Sequence, residues 1–319
     1  DHDRTTVSRS VTEAFSASGY FDIVERPEAE GALRPLLDRG RAQVAVILPK
    51  GLAEGLERGK NVPVEVIVDG ADSKTASVAS GYAAQILAEF SRRRIAAEGI
   101  SMRGAGIDAR VRVLFNPTLR AVNAMVPGLV AMILMLSTSA IMSQAVVRER
   151  ERGTLEQMFV TPITRGEYAI GKIVPYALIS MAQIALIVIV GRLWFRVPFY
   201  GNVAIAAVGL LAFMFTGIGQ GLIISMLSHT RQQAQQTTMF ILIPTMVLSG
   251  FIFPIESMPP AVVPITYFIP LRYALVVLRA VAMKNAGWMA MMPQIAAMAA
   301  FSVVVFGVAI ATFSKRLAD

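Results

Sequence analysis

AMVPGLVAMILMLSTSAIMSQAVV (residues 124–147) carries no charge and runs directly into RERERGTLEQMFVTPI (Arg148–Ile163). A helix as long as the first stretch crosses a hydrocarbon core about 30 Å thick, for which roughly 20 residues suffice. The second stretch, dense in Arg and Glu, belongs in water. Their junction sets a membrane-embedded body against a charged surface, and this decides the class of fold.

Four more uncharged runs follow. They place helices at Ile173–Gly191, Asn202–Leu227, Thr237–Phe253 and Pro293–Phe313, which with Ala124–Val147 makes five spans. Pro175 and Pro244 fall inside two of these runs, where neighbouring helices satisfy the freed carbonyls. Residues 254–288 are too apolar for a solvated loop and too broken by proline for a simple span, so a re-entrant or interfacial helical hairpin is expected there.

The whole chain is 55% hydrophobic and 16% charged, with a mean hydropathy of +0.57, values of a membrane protein. Charge concentrates ahead of the first run, so two parts are expected: an α+β domain at 1–117 and a transmembrane domain at 118–319. In the first part, hydrophobic periodicity predicts helices at Thr5–Ala17, Glu28–Arg39, Leu52–Arg58 and Ser73–Ala97. Clustered β-branched residues between Pro and Gly breaks predict strands at Tyr20–Glu25, Val44–Leu48, Val64–Val68 and Arg110–Phe115.

The net charge of +8 comes without a basic stripe interleaved with aromatics. Arg and Lys sit instead at the ends of apolar runs, which is a signature of membrane topology rather than of nucleic-acid binding. Arg148, Arg150, Arg152, Arg165, Lys172, Lys315 and Arg316 lie on one side, and Arg192, Arg196, Arg272, Arg279 and Lys284 on the other. This bias places the 148–163 stretch and the C-terminus in the cytosol and the N-terminal domain outside. An exported domain without an export signal implies a further span upstream of Asp1, so six are expected in the full protein. The absence of cysteine excludes disulfides, thiolate metal sites and a cysteine nucleophile. His2 and His229 have neither metal-ligand nor triad spacing, and no metal site is expected.

Within Arg148–Ile163, Leu155, Met158 and Phe159 share one face of a short helix that Pro162 ends. An interfacial helix with snorkelling arginines accounts for that amphipathicity. It does not account for Gly153-Thr154 or the Thr161-Pro162 stop. Just beyond, Gly166–Lys172 reads G-x-x-x-x-G-K like a phosphate-binding loop, but Ile173 stands where a Ser or Thr should ligate magnesium, and no strand precedes it. Lys172 is expected to snorkel at the interface. Gly217, Gly219 and Gly221, inside an apolar run, read as helix-packing positions rather than as a dinucleotide fingerprint. Polar side chains within the runs form interhelical hydrogen bonds, and Ser139, Gln144, Gln183, Gln220 and Thr245 are candidates for lining a translocation path. No run contains an interior Asp, Glu or His, which argues against a proton-coupled carrier.

Three segments in order, RERERGTLEQMFVTPI, LSGFIFPIESMPP (Leu248–Pro260) and YFIPLRYALVVLRA (Tyr267–Ala280), resemble the signature of the permeases of type 2 ABC exporters. VDGADSKTAS (Val68–Ser77) is similar to the extracytoplasmic domain of their bacterial multidrug-export branch. The resemblance covers essentially the whole chain except a first span. It implies a cytosolic coupling helix near 148–163 that docks on a separate ATPase, through Glu149, Arg150, Arg152, Gly153, Thr154, Leu155, Glu156 and Phe159. Arg231 and Gln232 would make a secondary cytosolic contact. Phe253, Pro254, Glu256, Pro259 and Arg272 would build an outer gate. It further implies a second permease, identical or paralogous, within the bacterial inner membrane among its lipids, with room for a periplasmic adaptor. No catalytic residue or cofactor belongs to this chain, since ATP and Mg would sit on the ATPase subunit. The competing reading is a membrane-anchored extracytoplasmic binding or scaffold protein, but five spans and a re-entrant segment exceed what an anchor needs.

Overall fold

The computed structural model describes residues 1–98, 106–153, 165–196 and 200–316. Two compact units divide the chain, Asp1–Ala124 and Met125–Asp319.

In the first unit, helix α1 (Thr6–Ala17) begins where Thr5 Oγ1 accepts the Ser8 N–H, and it buries Val7, Val11 and Phe15 at four-residue spacing. A 3-10 turn (Glu30–Ala32) leads into α2 (Leu33–Asp38). Strand β1 (Val44–Ile47) precedes α3 (Leu52–Glu57), strand β2 (Asn61–Asp69), α4 (Ser73–Glu98) and strand β3 (Gly106–Leu114). The sheet order is β1-β2-β3, with β1 antiparallel and β3 parallel to β2. Parallel pairing requires a crossover, and α4 provides it. Alternation along β2 sends Val64, Val66 and Val68 into one core with α1, α3 and α4. The VDGADSKTAS segment is the tight β2–α4 turn. Asp72 caps α4 through the Lys74 and Thr75 N–H groups, and a Cβ at Gly70 would lie 2.6 Å from the Leu114 carbonyl oxygen.

Two expectations for this unit need correction. Tyr20–Glu25 forms no strand: it pairs with neither outer edge of the sheet, and Tyr20 instead stacks on Tyr82 of α4 at 4.0 Å. The Glu28–Arg39 helix is split, and its regular part begins only at Leu33, where Pro35 falls in the first turn and its missing N–H costs nothing.

The second unit is helical. It comprises α5 (Ala121–Ser143, whose first turn falls in the first unit), α6 (Ala145–Glu151), α7 (Arg165–Leu193), α8 (Val203–Leu227), α9 (Arg231–Leu248), α10 (Val263–Thr266), α11 (Pro270–Arg279) and α12 (Trp288–Arg316). Helix α8 is its hub and buries Phe213, Met214 and Ile218. Apolar surface gains nothing by leaving lipid, so close packing and hydrogen bonds hold such helices. A Cβ on Gly221 would lie 2.7 Å from the Ser139 carbonyl oxygen on α5, and one on Gly219 would lie 2.8 Å from Val305 on α12. The Thr216 and Ser302 hydroxyls meet at 2.8 Å, tying α8 to α12.

Among the described residues, four segments are long and apolar enough to cross a membrane: Ala121–Glu151, Ile170–Leu193, Val203–Leu227 and Trp288–Ala309. The fifth expected span, Thr237–Phe253, differs. Its helix α9 starts six residues earlier in RQQAQQ and stops at Leu248, before Gly250 turns the chain with φ +88°. Its apolar part, Thr237–Leu248, is about 18 Å long at 1.5 Å per residue and falls short of the hydrocarbon core. Residues 254–288 form a series of short helical pieces: a 3-10 turn (Ile255–Ser257), α10, α11 and a π-turn (Ala280–Lys284).

Candidate functional site

The uncharged run and the charged stretch do not meet at a loop. Helix α5 ends at Ser143, the chain breaks at Gln144, and α6 carries the first charges up to Glu151. A new helix start exposes N–H groups that lack intrahelical acceptors. Here Ser225 Oγ, fully buried in the last turns of α8, accepts from the N–H of Val146 at 3.0 Å and of Val147 at 3.1 Å. Helix α6 closes at Gly153 with φ +69°, the left-handed position that glycine adopts at a helix C-terminus.

Three charged contacts then bind α6 to its neighbours. Glu149 pairs with Lys172 of α7 in a largely shielded position. Arg150 donates to the Ser228 carbonyl at 2.8 Å, reaching the end of α8. Glu151 accepts from both the backbone N–H and the Nε of Arg231 at the start of α9, at 2.8 and 2.6 Å. One helix end thus gathers α7, α8 and α9. Arg148, Arg152, Gly153 and Gln232 lie exposed beside it.

Of the residues expected to couple to an ATPase, Glu149, Arg150, Arg152 and Gly153 fall on this helix end, and Arg231 joins it through Glu151. Thr154, Leu155, Glu156 and Phe159 lie outside the described residues. Glu151, Lys172, Ser225 and Ser228 were not singled out as site residues. The available signal was weak: two serines spaced three apart at the end of an apolar run, facing a second helix start. The G-x-x-x-x-G-K sequence is helical from the start of α7 rather than a phosphate-cradling loop, and Lys172 is paired with Glu149 rather than snorkelling.

At the expected outer gate, the Arg272 guanidinium donates to Thr266 Oγ1 and lies 4.0 Å over the Tyr267 ring, while the Tyr273 hydroxyl donates to the Tyr267 carbonyl at 2.9 Å. Phe253 is exposed, Pro254 precedes the 3-10 turn, and Pro259 opens the next one by accepting from the Val262 N–H. The Glu256 side chain is not among those described. Among the path candidates, Ser139 donates to the Gly217 carbonyl, Gln183 accepts from Ser137, and Thr245 donates to the Ile241 carbonyl. Gln144 and Gln220 are half-buried.

Comparison with known proteins agrees with this architecture. The family model described as ABC-2 family transporter protein matches residues 1–311. The probable multidrug ABC transporter permease YbhR of Escherichia coli (strain K12) is 29% identical over 286 residues, covering 90% of this chain and 77% of that protein. YbhS of the same strain, also a probable multidrug ABC transporter permease, is 30% identical over 272 residues, covering 85% and 72%. The inner membrane transport permease YhhJ, again from Escherichia coli (strain K12), is 25% identical over 327 residues, covering 99% and 84%. With a match along nearly its whole length and a bundle of candidate spans to carry it, this chain belongs to the ABC-2 family of transporter proteins.

Proposed function

We propose that this chain is the membrane-spanning permease subunit of an ATP-driven exporter in a bacterial inner membrane, with its N-terminal unit extracytoplasmic. Two permeases pair, identical or paralogous, and each docks a separate ATPase subunit that binds and hydrolyses ATP with its magnesium. Supporting this reading above all is the helix end of α6, where Glu149, Arg150 and Glu151 bind α7, α8 and α9 together. A push on that end reaches three neighbouring helices at once. A transmitted signal needs two states that the driving ligand distinguishes, and ATP closure of the partner supplies that difference. Arg148 and Arg152 contribute to the docking face, with Gln232 beside them, and Thr154, Leu155, Glu156 and Phe159 are the further docking residues that the resemblance implies. Phe253 to Pro259 and Arg272 form the outer gate. Relatives named as probable multidrug ABC transporter permeases favour drug-like molecules as the cargo of this chain.

The test is reconstitution with the cognate ATPase. Glu151→Arg and Arg231→Glu are each expected to lower ATP-dependent transport while membrane insertion persists, and the double swap to restore much of it. Phe159→Ala is expected to reduce ATPase co-purification. Unchanged transport in both single swaps, together with unchanged co-purification of Phe159→Ala, would refute the coupling role.

A further inference from the structure

A cavity of about 400 Å³ lies between α5, α7 and α8, within the size range of ligand sites at ~300–1,000 Å³. Its walls are almost wholly aliphatic, with Val130, Ile184, Leu210 and Leu278 among them, and Arg192 is its charged lining residue. Met181 and Ile189, which also line it, are about half exposed, so the cavity opens sideways along α7. That helix is the least enclosed of the candidate spans: 6% of its apolar window is buried, against 61% for α8. In the single chain the opening faces outward from the bundle, and its aliphatic lining matches hydrocarbon.

Arg192 lies in the last turn of α7, and it is followed by Trp194, 82% exposed, and then by Arg196, with Tyr200 at 64%. Exposed Trp and Tyr beside arginines mark the level of the lipid headgroups. Among the described residues, neither Arg192 nor Arg196 has a hydrogen-bond or ion-pair partner. Water gains nothing in an aliphatic cavity, and an empty one forfeits dispersion contacts on every wall. A chain from the surrounding bilayer restores those contacts, and a phosphate at headgroup level satisfies the guanidinium.

We infer that this cavity is a binding site for an anionic phospholipid of the membrane, with one acyl chain between α5, α7 and α8 and the headgroup phosphate on Arg192. The lipid thereby seals α7 against the bundle. The inference does not depend on the transport reading.

Native mass spectrometry of the full chain, delipidated and titrated with dioleoyl phosphatidylglycerol or dioleoyl phosphatidylcholine, tests it. Both headgroups carry a phosphate, but the choline ammonium of phosphatidylcholine neutralises it and repels Arg192, whereas phosphatidylglycerol keeps its net negative charge, so the anionic lipid should bind about tenfold more tightly. Arg192→Gln should remove that preference while keeping chain-dependent binding. Ala185→Trp, at an exposed lining position, should fill the cavity and remove the tight site while the protein keeps its elution volume and helicity. Equal binding of the two lipids, or tight binding that survives Ala185→Trp, overturns the proposal. So does equally tight binding of dihexanoyl phosphatidylglycerol, which would place recognition in the headgroup alone.

Discussion

Asp3 caps a helix it does not belong to: its carboxylate accepts the Gly51, Leu52 and Ala53 N–H groups at 2.8, 3.0 and 3.1 Å, at the start of α3. Burial raises its pKa, but hydrogen bonds from Thr5, Ala53, Gly51 and Leu52 together outweigh it and hold the carboxyl below its ordinary value. A depressed folded pKa means that this contribution is complete above the unfolded value near 4 and is lost as pH falls through the folded one. Asp3→Ala is expected to destabilise the first unit by about 1–2 kcal/mol at neutral pH, read as faster hydrogen exchange at Leu52 and Ala53 in the full chain. The difference between variant and parent should shrink below pH 4. None of this is visible in sequence, where Asp3 and Gly51 stand far apart. Ser225 shows the same limit, because its value lies in facing a helix break on another segment.

Among the elements, α1, α3, α4, α7, α8 and α12 were legible from periodicity or uninterrupted apolar length, because each satisfies its backbone within itself. The Tyr20–Glu25 segment misled because a strand must also be packed beside a partner edge, and here Tyr20 is held on α4 by stacking on Tyr82, which local β-propensity does not report. The break at Gln144 misled because no proline or glycine marks it; the compensating acceptor is supplied by α8. Gly221 carries the most exacting contact between elements. Gly221→Val must push α8 away from the α5 backbone, and an overpacked contact of this kind costs about 1–3 kcal/mol. Lower thermal stability in detergent is expected for Gly221→Val. Gly307→Ala, where an added Cβ meets nothing within 4 Å, should leave it unchanged or slightly raised.

For the molecule as a whole, orientation is the property on which transport direction depends. The chain has no cysteine, so single cysteines report sidedness without background. Arg152→Cys is expected to resist a membrane-impermeant maleimide in intact cells and to react after lysis, while Arg196→Cys reacts from outside. The opposite pattern would invert the topology and the proposed direction of transport. By itself the sequence determined that this protein lives in a membrane and where its apolar runs lie, since hydrocarbon thickness and backbone satisfaction act on contiguous residues, while its family was legible only through motifs that resemble those of ABC-2 permeases. Only the tertiary structure decided that α9 is too short in its apolar part, that Ser225 receives the start of α6, and that Glu149, Arg150 and Glu151 gather three helices. Those are meetings of distant segments. Their energies depend on separation and shielding in space, which spacing along the chain does not encode.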